Sequence, residues 1–124
     1  MWGGFMEYIH YIVIGLIISF IIKSILPTKG MQNISTAELK NKLKDRNKQF
    51  IDVRTSREYK GNHIKGFQNI PLDQLAQRAN NLSKEKEVIV ICQSGMRSKS
   101  ASKTLKKLGF TKVINVKGGM NAWS

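Results

Sequence analysis

Residues 87–97 read EVIVICQSGMR, and this stretch decides how the chain is interpreted. After Glu87, the run at 88–92 is continuously apolar and mostly β-branched, which predicts a strand covered on both faces. A turn-rich loop with Gly95 follows, and then a helix over about 97–108 that ends at Gly109. Cys92 therefore lies at the carboxyl end of the most apolar strand, where parallel α/β sheets bind their ligands.

The setting of Cys92 is one that activates a thiol. Amide N–H groups of the following loop can converge on one point, and the N-terminus of the next helix adds partial positive charge there. Both effects favour the thiolate and lower the pKa of Cys92. Gly95 gives the loop backbone conformations that a side chain forbids, and Arg97 adds a full positive charge for an anionic substrate. A cysteine that only packs in a core needs none of this, so the sequence favours a nucleophile.

Predicted strands and helices alternate around this stretch. Ser35 and Glu38 form a capping-box pattern that opens a helix through about residue 43. The other predicted elements are a strand at 49–53, a helical turn at 57–61, a strand at 68–70, a helix at 72–80 and a last strand at 111–115. This order predicts an α/β domain with a small, mainly parallel sheet flanked by helices.

The N-terminal segment differs in composition from the rest of the chain. Residues 8–22 read YIHYIVIGLIISFII without a charged side chain, and the apolar window extends over residues 5–26. About 20 such residues cross a bilayer, so we predict one transmembrane helix. A cleaved signal peptide is less well supported, because no Lys or Arg precedes the run and no small-x-small site follows it. The predicted division is an anchor with a short linker at 1–29 and a domain at 30–124.

Charged residues beside the apolar window predict its orientation. Lys23 and Lys29 lie on its C-terminal side with the basic domain, whereas Glu7 lies on its N-terminal side. The positive-inside rule then places the domain in the cytoplasm, as part of a single-pass protein of the cell membrane. A reducing cytoplasm also keeps a catalytic thiol free.

Composition limits the remaining possibilities. With one cysteine, neither an intrachain disulfide nor a paired-cysteine metal site can form, and His10 and His63 lie far apart, so we expect no metal. The net charge of +13 attracts anionic small molecules, nucleic acid or anionic lipid headgroups. Because the sequence has no arginine stripe interleaved with aromatic residues, it favours a charged surface near an anionic membrane over a nucleic-acid-binding face.

Short motifs at matching spacing resemble the single-domain rhodanese family over residues 33–123. The pieces are Asp52-Val53-Arg54, Arg57-Glu58-Tyr59, His63-Ile64 with Gly66, Asn69-Ile70-Pro71, Cys92-Gln93-Ser94-Gly95-Met96-Arg97-Ser98, and Gly118-Gly119-Met120 with Trp123. The resemblance implies a rhodanese-like fold and sulfurtransferase activity. In that family, a six-residue loop from cysteine to arginine accompanies sulfur transfer, whereas related phosphatases have one residue more. Cys92 to Arg97 spans six residues.

The resemblance also implies a role for each site residue. Cys92 would take sulfur from thiosulfate or a persulfide, hold it as a persulfide and pass it to a thiol or protein acceptor. Substrate binding would fall to the loop residues Gln93, Ser94, Gly95, Met96 and Arg97. His63 would brace a loop. From the residues themselves, we expect Asp52 and Arg57 to form an ion pair that fixes a strand–helix turn. Neither a metal nor an organic cofactor is implied.

Some alternatives stay open. Gln93 and Ser94 are neutral where many thiosulfate users carry a basic residue, which leaves the natural donor undecided. The domain could instead be a persulfide-relay or regulatory binding module with little activity alone, although a purely structural module would need neither Cys92 nor Arg97. Phosphatase- or arsenate-reductase-like chemistry is disfavoured by the loop length. A basic adaptor for RNA or anionic lipid would lose affinity steeply with salt.

Overall fold

The computed structural model describes residues 2–25 and 31–124. The helices are α1 (Trp2–Ile25), α2 (Thr36–Lys42), α3 (Ser56–Gly61), α4 (Leu75–Arg78) and α5 (Met96–Lys107). The strands are β1 (Met31–Ile34), β2 (Gln49–Asp52), β3 (Gln68–Asn69), β4 (Val88–Ile91) and β5 (Val113–Val116). Short 3₁₀ turns flank α4 at Leu72–Gln74 and Ala79–Asn81, and another follows β5 at Gly119–Ala122.

The strands form one sheet in the order β1-β5-β4-β2-β3, and every neighbouring pair is parallel. Central strand β4 is buried along its whole length. Its side chains alternate between two apolar clusters: Val88 and Val90 join Leu105 of α5 on one face, whereas Ile89 and Ile91 join the cluster on the other. Burial on both faces explains the continuous apolar run. The predicted α/β fold with a parallel sheet flanked by helices is confirmed.

Capping boxes start two of the helices. The Ser35 side chain accepts a hydrogen bond from the amide of Glu38, and the Glu38 carboxylate accepts one from the amide of Ser35, as predicted for α2. Thr55 and Glu58 form the same reciprocal pair at α3. This second box starts α3 at Ser56, one residue before the predicted helical turn.

Strand β1 was not predicted from the sequence. It lies at the edge of the sheet beside β5, so two of its four residues are exposed and it lacks a continuous apolar pattern. Strand β5 begins at Val113 and runs to Val116, two residues later than predicted at its start. The helix predicted at 72–80 is divided into a 3₁₀ turn, one α-helical turn and a second 3₁₀ turn. Short 3₁₀ turns are frequent at the two ends of an α-helix.

Helix α1 contains the predicted transmembrane window. Residues 6–23 are long and apolar enough to cross a membrane, and none of that window is buried against the rest of the described chain. Its length and composition are therefore those of a membrane-spanning segment or a signal sequence. Residue 26 of the predicted window, the linker and the boundary between residues 29 and 30 lie outside the described residues.

Candidate active site

The thiol of Cys92 lies directly after β4, beneath the loop that leads into α5. Cys92 is fully buried, and its Sγ accepts a hydrogen bond from the amide of Gly95 at 3.0 Å. The hydroxyl of Ser98, in the first turn of α5, lies 3.3 Å from the same sulfur. Gly95 has a φ of 101°, a left-handed conformation that glycine adopts without strain. The loop thus folds back over the sulfur, as the sequence predicted.

Opposing effects act on the pKa of Cys92. Burial disfavours the thiolate and raises the pKa, but hydrogen bonds from the side chain and backbone of Ser98 and from the backbone of Gly95 and Ser94 outweigh it. The net effect is a pKa below the usual value of a cysteine thiol. These donors lie at the N-terminus of α5, where the helix dipole also favours negative charge. The site therefore favours a nucleophilic thiolate.

The turn after β5 braces the loop from behind. The amide of Met120 donates to the carbonyl of Cys92 at 2.8 Å, and the amide of Asn121 donates to the carbonyl of Gln93 at 2.9 Å. Gly119 has a φ of 55°, and a Cβ there would overlap the Cys92 carbonyl oxygen and lie 2.9 Å from the Gln93 carbonyl carbon. The Gly118-Gly119 pair is one of the motif pieces named in the sequence analysis, but no local pattern indicated this contact.

Asp52 and Arg54 form a buried ion pair beside the loop, so the predicted pairing of Asp52 with Arg57 is wrong. The Arg54 guanidinium donates to the Asp52 carboxylate at 2.9–3.1 Å, and the Arg54 amide donates to the same group at 3.0 Å. Arg54 folds back onto Asp52 two residues away, whereas Arg57 lies exposed on α3. Arg54 also donates to the side-chain oxygen of Gln93 at 3.3 Å, which links this pair to the loop.

Gln93 is held from both sides. Its Nε2 donates to the side-chain oxygen of Asn121 at 2.6 Å, while its Oε1 accepts from Arg54. The side chains of Ser94 and Met96 are exposed, Met96 by 77%. The predicted binding residues are thus brought together by one loop, but the Met96 side chain points into solvent, which leaves only its backbone to face the site.

Arg97, in the first turn of α5, has its charge already paired. Its Nη1 and Nη2 donate to the two carboxylate oxygens of Glu58 at 2.7 and 2.9 Å. Hydrogen bonding to Arg97 and to Thr55 lowers the pKa of Glu58 to about 2, and the same pairing raises the pKa of Arg97. Glu58 was not predicted as a site residue, although its place in the Thr55–Glu58 capping box was visible in the sequence.

His63 lies away from the thiol and packs against α3. Its ring stacks on Tyr59 with centroids 3.9 Å apart, and its Nδ1 donates to the Tyr59 carbonyl at 2.8 Å. The Tyr59 hydroxyl in turn donates to the carbonyl of Phe67 at 2.5 Å. These contacts fit the loop-bracing role proposed for His63.

A cavity of about 340 Å³ opens beside the loop. It is lined by side chains from the ends of β2 and β3 and from α5, namely Val53, Thr55, Pro71, Leu72, Asp73 and Arg97. Its walls are mostly apolar, with Arg97 and Asp73 as the two charged groups that line it. Arg97 is the residue of the Cys92–Arg97 loop that lines this cavity.

The comparisons with known proteins agree with this geometry. The chain is 45% identical to the putative sulfur carrier protein YrkF of Bacillus subtilis, over 77% of this chain and 52% of YrkF, so it spans about half that relative's length. It is 40% identical to the putative sulfurtransferase YtwF of the same organism, over 75% of this chain and 90% of YtwF.

Among solved structures, a rhodanese-like domain protein from Staphylococcus aureus matches with a TM-score of 0.70 and 36% identity. This match covers 76% of this chain and 92% of that one. The family model described as the rhodanese-like domain matches residues 35–124, which include every strand except β1 and the whole of the cysteine loop. The chain therefore belongs to the rhodanese-like domain family.

Proposed function

We propose that the chain is a sulfurtransferase that carries sulfane sulfur as a persulfide on Cys92. The observation that carries this proposal is the buried thiol at the end of β4, 3.0 Å from the Gly95 amide and with a lowered pKa. A thiolate near neutral pH is the nucleophile that this chemistry needs. A relative named a putative sulfurtransferase agrees with it.

The cycle consists of two sulfur-transfer steps that need no cofactor. In the first, the Cys92 thiolate attacks the outer sulfur of a donor RS–SH. A bond forms between Sγ and that sulfur, the donor S–S bond breaks, and RS⁻ leaves. In the second, an acceptor thiolate attacks the same outer sulfur and Cys92 leaves as the thiolate. Because the chain has one cysteine, the acceptor belongs to another molecule, a small thiol or a protein.

The loop supplies the binding site for the transferred sulfur. We assign stabilisation of negative charge on the persulfide to the loop amides after Cys92, from Gln93 through Ser94, Gly95 and Met96 to Arg97. The Gly95 amide, which donates to Sγ at 3.0 Å, supports this assignment. The Gln93 side chain, held by Arg54 and Asn121, fixes the first residue of this cradle.

Glu58 favours a persulfide over thiosulfate as the donor. Thiosulfate is a dianion, and its binding depends on uncompensated positive charge at the pocket. Here both terminal nitrogens of Arg97 donate to Glu58, and Gln93 and Ser94 are neutral. A donor with less charge, such as a small-thiol or protein persulfide, enters this pocket without displacing Glu58.

The domain works at the cytoplasmic face of a membrane, with α1 as the anchor. The apolar window at 6–23 and the basic residues after it support this orientation. The test is extraction of the full chain from isolated membranes. We expect detergent to release the chain and alkaline carbonate to leave it in the membrane. Release by carbonate would contradict the anchor.

Intact mass spectrometry of the full chain in detergent tests the sulfur carrier directly. After incubation with a low-molecular-weight persulfide or with thiosulfate, the wild type should gain one sulfur, ~32 Da, that dithiothreitol removes. Cys92→Ser should gain nothing, and Ser94→Ala, a matched change at an exposed loop residue that keeps the thiol, should still load. A wild type that stays unmodified with both donors would contradict the proposal and favour a binding module instead.

A further inference from the structure

A chain of buried side-chain hydrogen bonds connects Cys92 to the edge of the sheet. The Cys92 sulfur lies 3.3 Å from the Ser98 hydroxyl, and Ser98 donates to the side-chain oxygen of Asn115 on β5. The Nδ2 of Asn115 donates to the side-chain oxygen of Asn33 on β1 at 3.0 Å. Asn33 and Asn115 are directly paired in the parallel register of the two strands. Nothing in the sulfur-transfer cycle described above uses Asn115 or Asn33.

The side chains in this series of hydrogen bonds become sharply less buried from Ser98 to Asn33. Ser98 is fully buried and Asn115 is 5% exposed, so neither side chain can exchange its partner for bulk water. Asn33 is exposed on the edge strand. Of the three side chains bonded in series to the sulfur, Asn33 is therefore the one that can exchange its partner for bulk water.

The donor and acceptor roles in this series of hydrogen bonds fit a protonated Cys92. A serine hydroxyl has one hydrogen, and the Ser98 hydrogen points to Asn115. Either atom of the Cys92–Ser98 contact could be the donor, so in this arrangement the donor is Cys92, through its S–H. The donation from Ser98 to the sulfur described for the candidate site belongs to the thiolate. A thiolate has no hydrogen to donate, so it needs the Ser98 hydroxyl to turn towards it. After that turn, two oxygen acceptors, from Ser98 and Asn115, face each other.

This conflict is relieved if both carboxamides rotate. With Asn115 turned, its Nδ2 donates to Ser98 and its oxygen faces Asn33; with Asn33 turned, the Nδ2 of Asn33 donates to that oxygen. Because the oxygen and NH₂ of a carboxamide have nearly the same size, the rotation leaves the packing intact. Hydrogens reorient, and no proton passes along the chain; the proton that Cys92 loses leaves to solvent.

We propose that Ser98, Asn115 and Asn33 form a reversible hydrogen-bond chain whose direction follows the ionisation of Cys92, with Asn33 as a remote positioning residue. The inference deepens the proposed function, since it names what stabilises the reactive form of the same thiol. Its consequence is that a change at the exposed edge of the sheet alters the reactivity of a sulfur that it does not touch.

Two ion pairs lie near Cys92, and none of the variants below changes a residue of either pair. Arg97 on α5 interacts electrostatically with the Cys92 thiolate and is paired with Glu58. Asp52, after β2, is paired with Arg54. The variants compared below differ only at residues 32, 33 and 98, so both ion pairs are present in all of them.

The experiment measures the rate of Cys92 alkylation by iodoacetamide against pH, with the full chain in detergent. Asn33→Asp leaves a side chain that can only accept, so Asn115 keeps donating to it, as it does when Cys92 is protonated. We expect the midpoint of the profile to rise by about half a pH unit, or a rate about threefold lower below the midpoint. Asn33→Lys can only donate, so it should shift the profile the other way.

Gln32 provides the matched control for charge. It is exposed on β1 next to Asn33 and takes no part in the hydrogen-bond chain, so Gln32→Glu and Gln32→Lys place the same charges on this strand without changing a hydrogen-bond partner of Asn115. Equal profiles for Asn33→Asp and Gln32→Glu would overturn the proposal.

Removal of the Ser98 hydroxyl, which interrupts the series of hydrogen bonds, gives a second, independent test. In a Ser98→Ala background, the difference between Asn33→Asp and Gln32→Glu should vanish, because the link from Asn33 to the sulfur is gone. A difference that persists there would overturn the proposal even if the first result were as expected. Alkylation needs only the thiol, so failure of this inference and failure of sulfur loading are separate results.

Discussion

Arg54 and Arg97 each follow the carboxyl end of a strand, β2 and β4, which are neighbours in the sheet. Each binds a carboxylate through two guanidinium nitrogens, Arg54 with Asp52 and Arg97 with Glu58. They differ in burial: the Arg54 side chain is 3% exposed, and that of Arg97 is 36% exposed. Burial, more than hydrogen-bond geometry, therefore separates a pair that holds the fold from a pair that can change partners.

The two arginines differ in how easily they can change partner, because their carboxylate partners differ in access to water. If Arg54 turned away, the Asp52 carboxylate would stay in a dry interior without its cation, at a cost of several kcal/mol. If Arg97 turns towards an anion, water solvates the half-exposed Glu58. The first pair is thus fixed, whereas the second can serve as an adjustable charge beside the thiol.

Substitution of the two arginines should produce the largest contrast. We expect Arg54→Met to lower the free energy of unfolding by about 3–5 kcal/mol, because it leaves a buried carboxylate unpaired. Arg97→Met, the same change at a half-exposed pair, should cost no more than about 1 kcal/mol. Urea denaturation of both variants measures the difference, and equal losses would break the comparison.

Neutralising Glu58 should change donor preference more than stability. Glu58→Gln keeps the capping box, because glutamine also serves at that position, but frees the charge of Arg97. We expect KM for thiosulfate to fall about three- to tenfold, since part of a charge-assisted hydrogen bond becomes available to the dianion. The steady-state rate of sulfur transfer from thiosulfate to cyanide measures it.

Glu38→Gln makes the same substitution in the other capping box, away from the pocket, and serves as the matched control. If both variants changed KM for thiosulfate equally, Glu58 would have no special effect on donor binding.

The smallest effect should be a pH dependence of stability. The pKa of Glu58 is lowered from 4.5 to about 2, so its contribution to stability is present above pH 4.5 and is lost as the pH falls towards 2. Because the pair is half-exposed, this contribution should be at most about 1 kcal/mol. The urea midpoint measured at pH 5 and pH 3 should fall less in Glu58→Gln than in the wild type. Identical falls would show that the pair is not formed in solution.

Local patterns in the sequence were enough to predict the centre of the molecule. The apolar run of β4, the position of Cys92 at its end, Gly95 in the loop and the start of α5 all depend on residues close together in the chain. The capping box of α2 is local for the same reason. Each of these predictions is confirmed.

The partners of the loop depend on contacts between distant segments, which is why they were missed. Glu58 and Arg97 are 39 residues apart, and periodicity contains no information about which acid meets which base. The same limit led to the choice of Arg57 over Arg54 for Asp52, since both are near in sequence and only the path of the chain after β2 decides between them. Edge strand β1 escaped detection because two of its four residues are exposed, which leaves it without a continuous apolar run.

The strand order also determines when the site can be assembled during synthesis. Strand β5 is the last of the five in the chain, yet it lies between β1 and β4. The turn that holds the carbonyls of Cys92 and Gln93 comes later still. Translation therefore delivers the thiol well before the elements that hold its loop, and a domain of this topology closes only after β5 has emerged from the ribosome. The nascent chain carries an ordinary cysteine, and the reactive thiol appears with the finished domain.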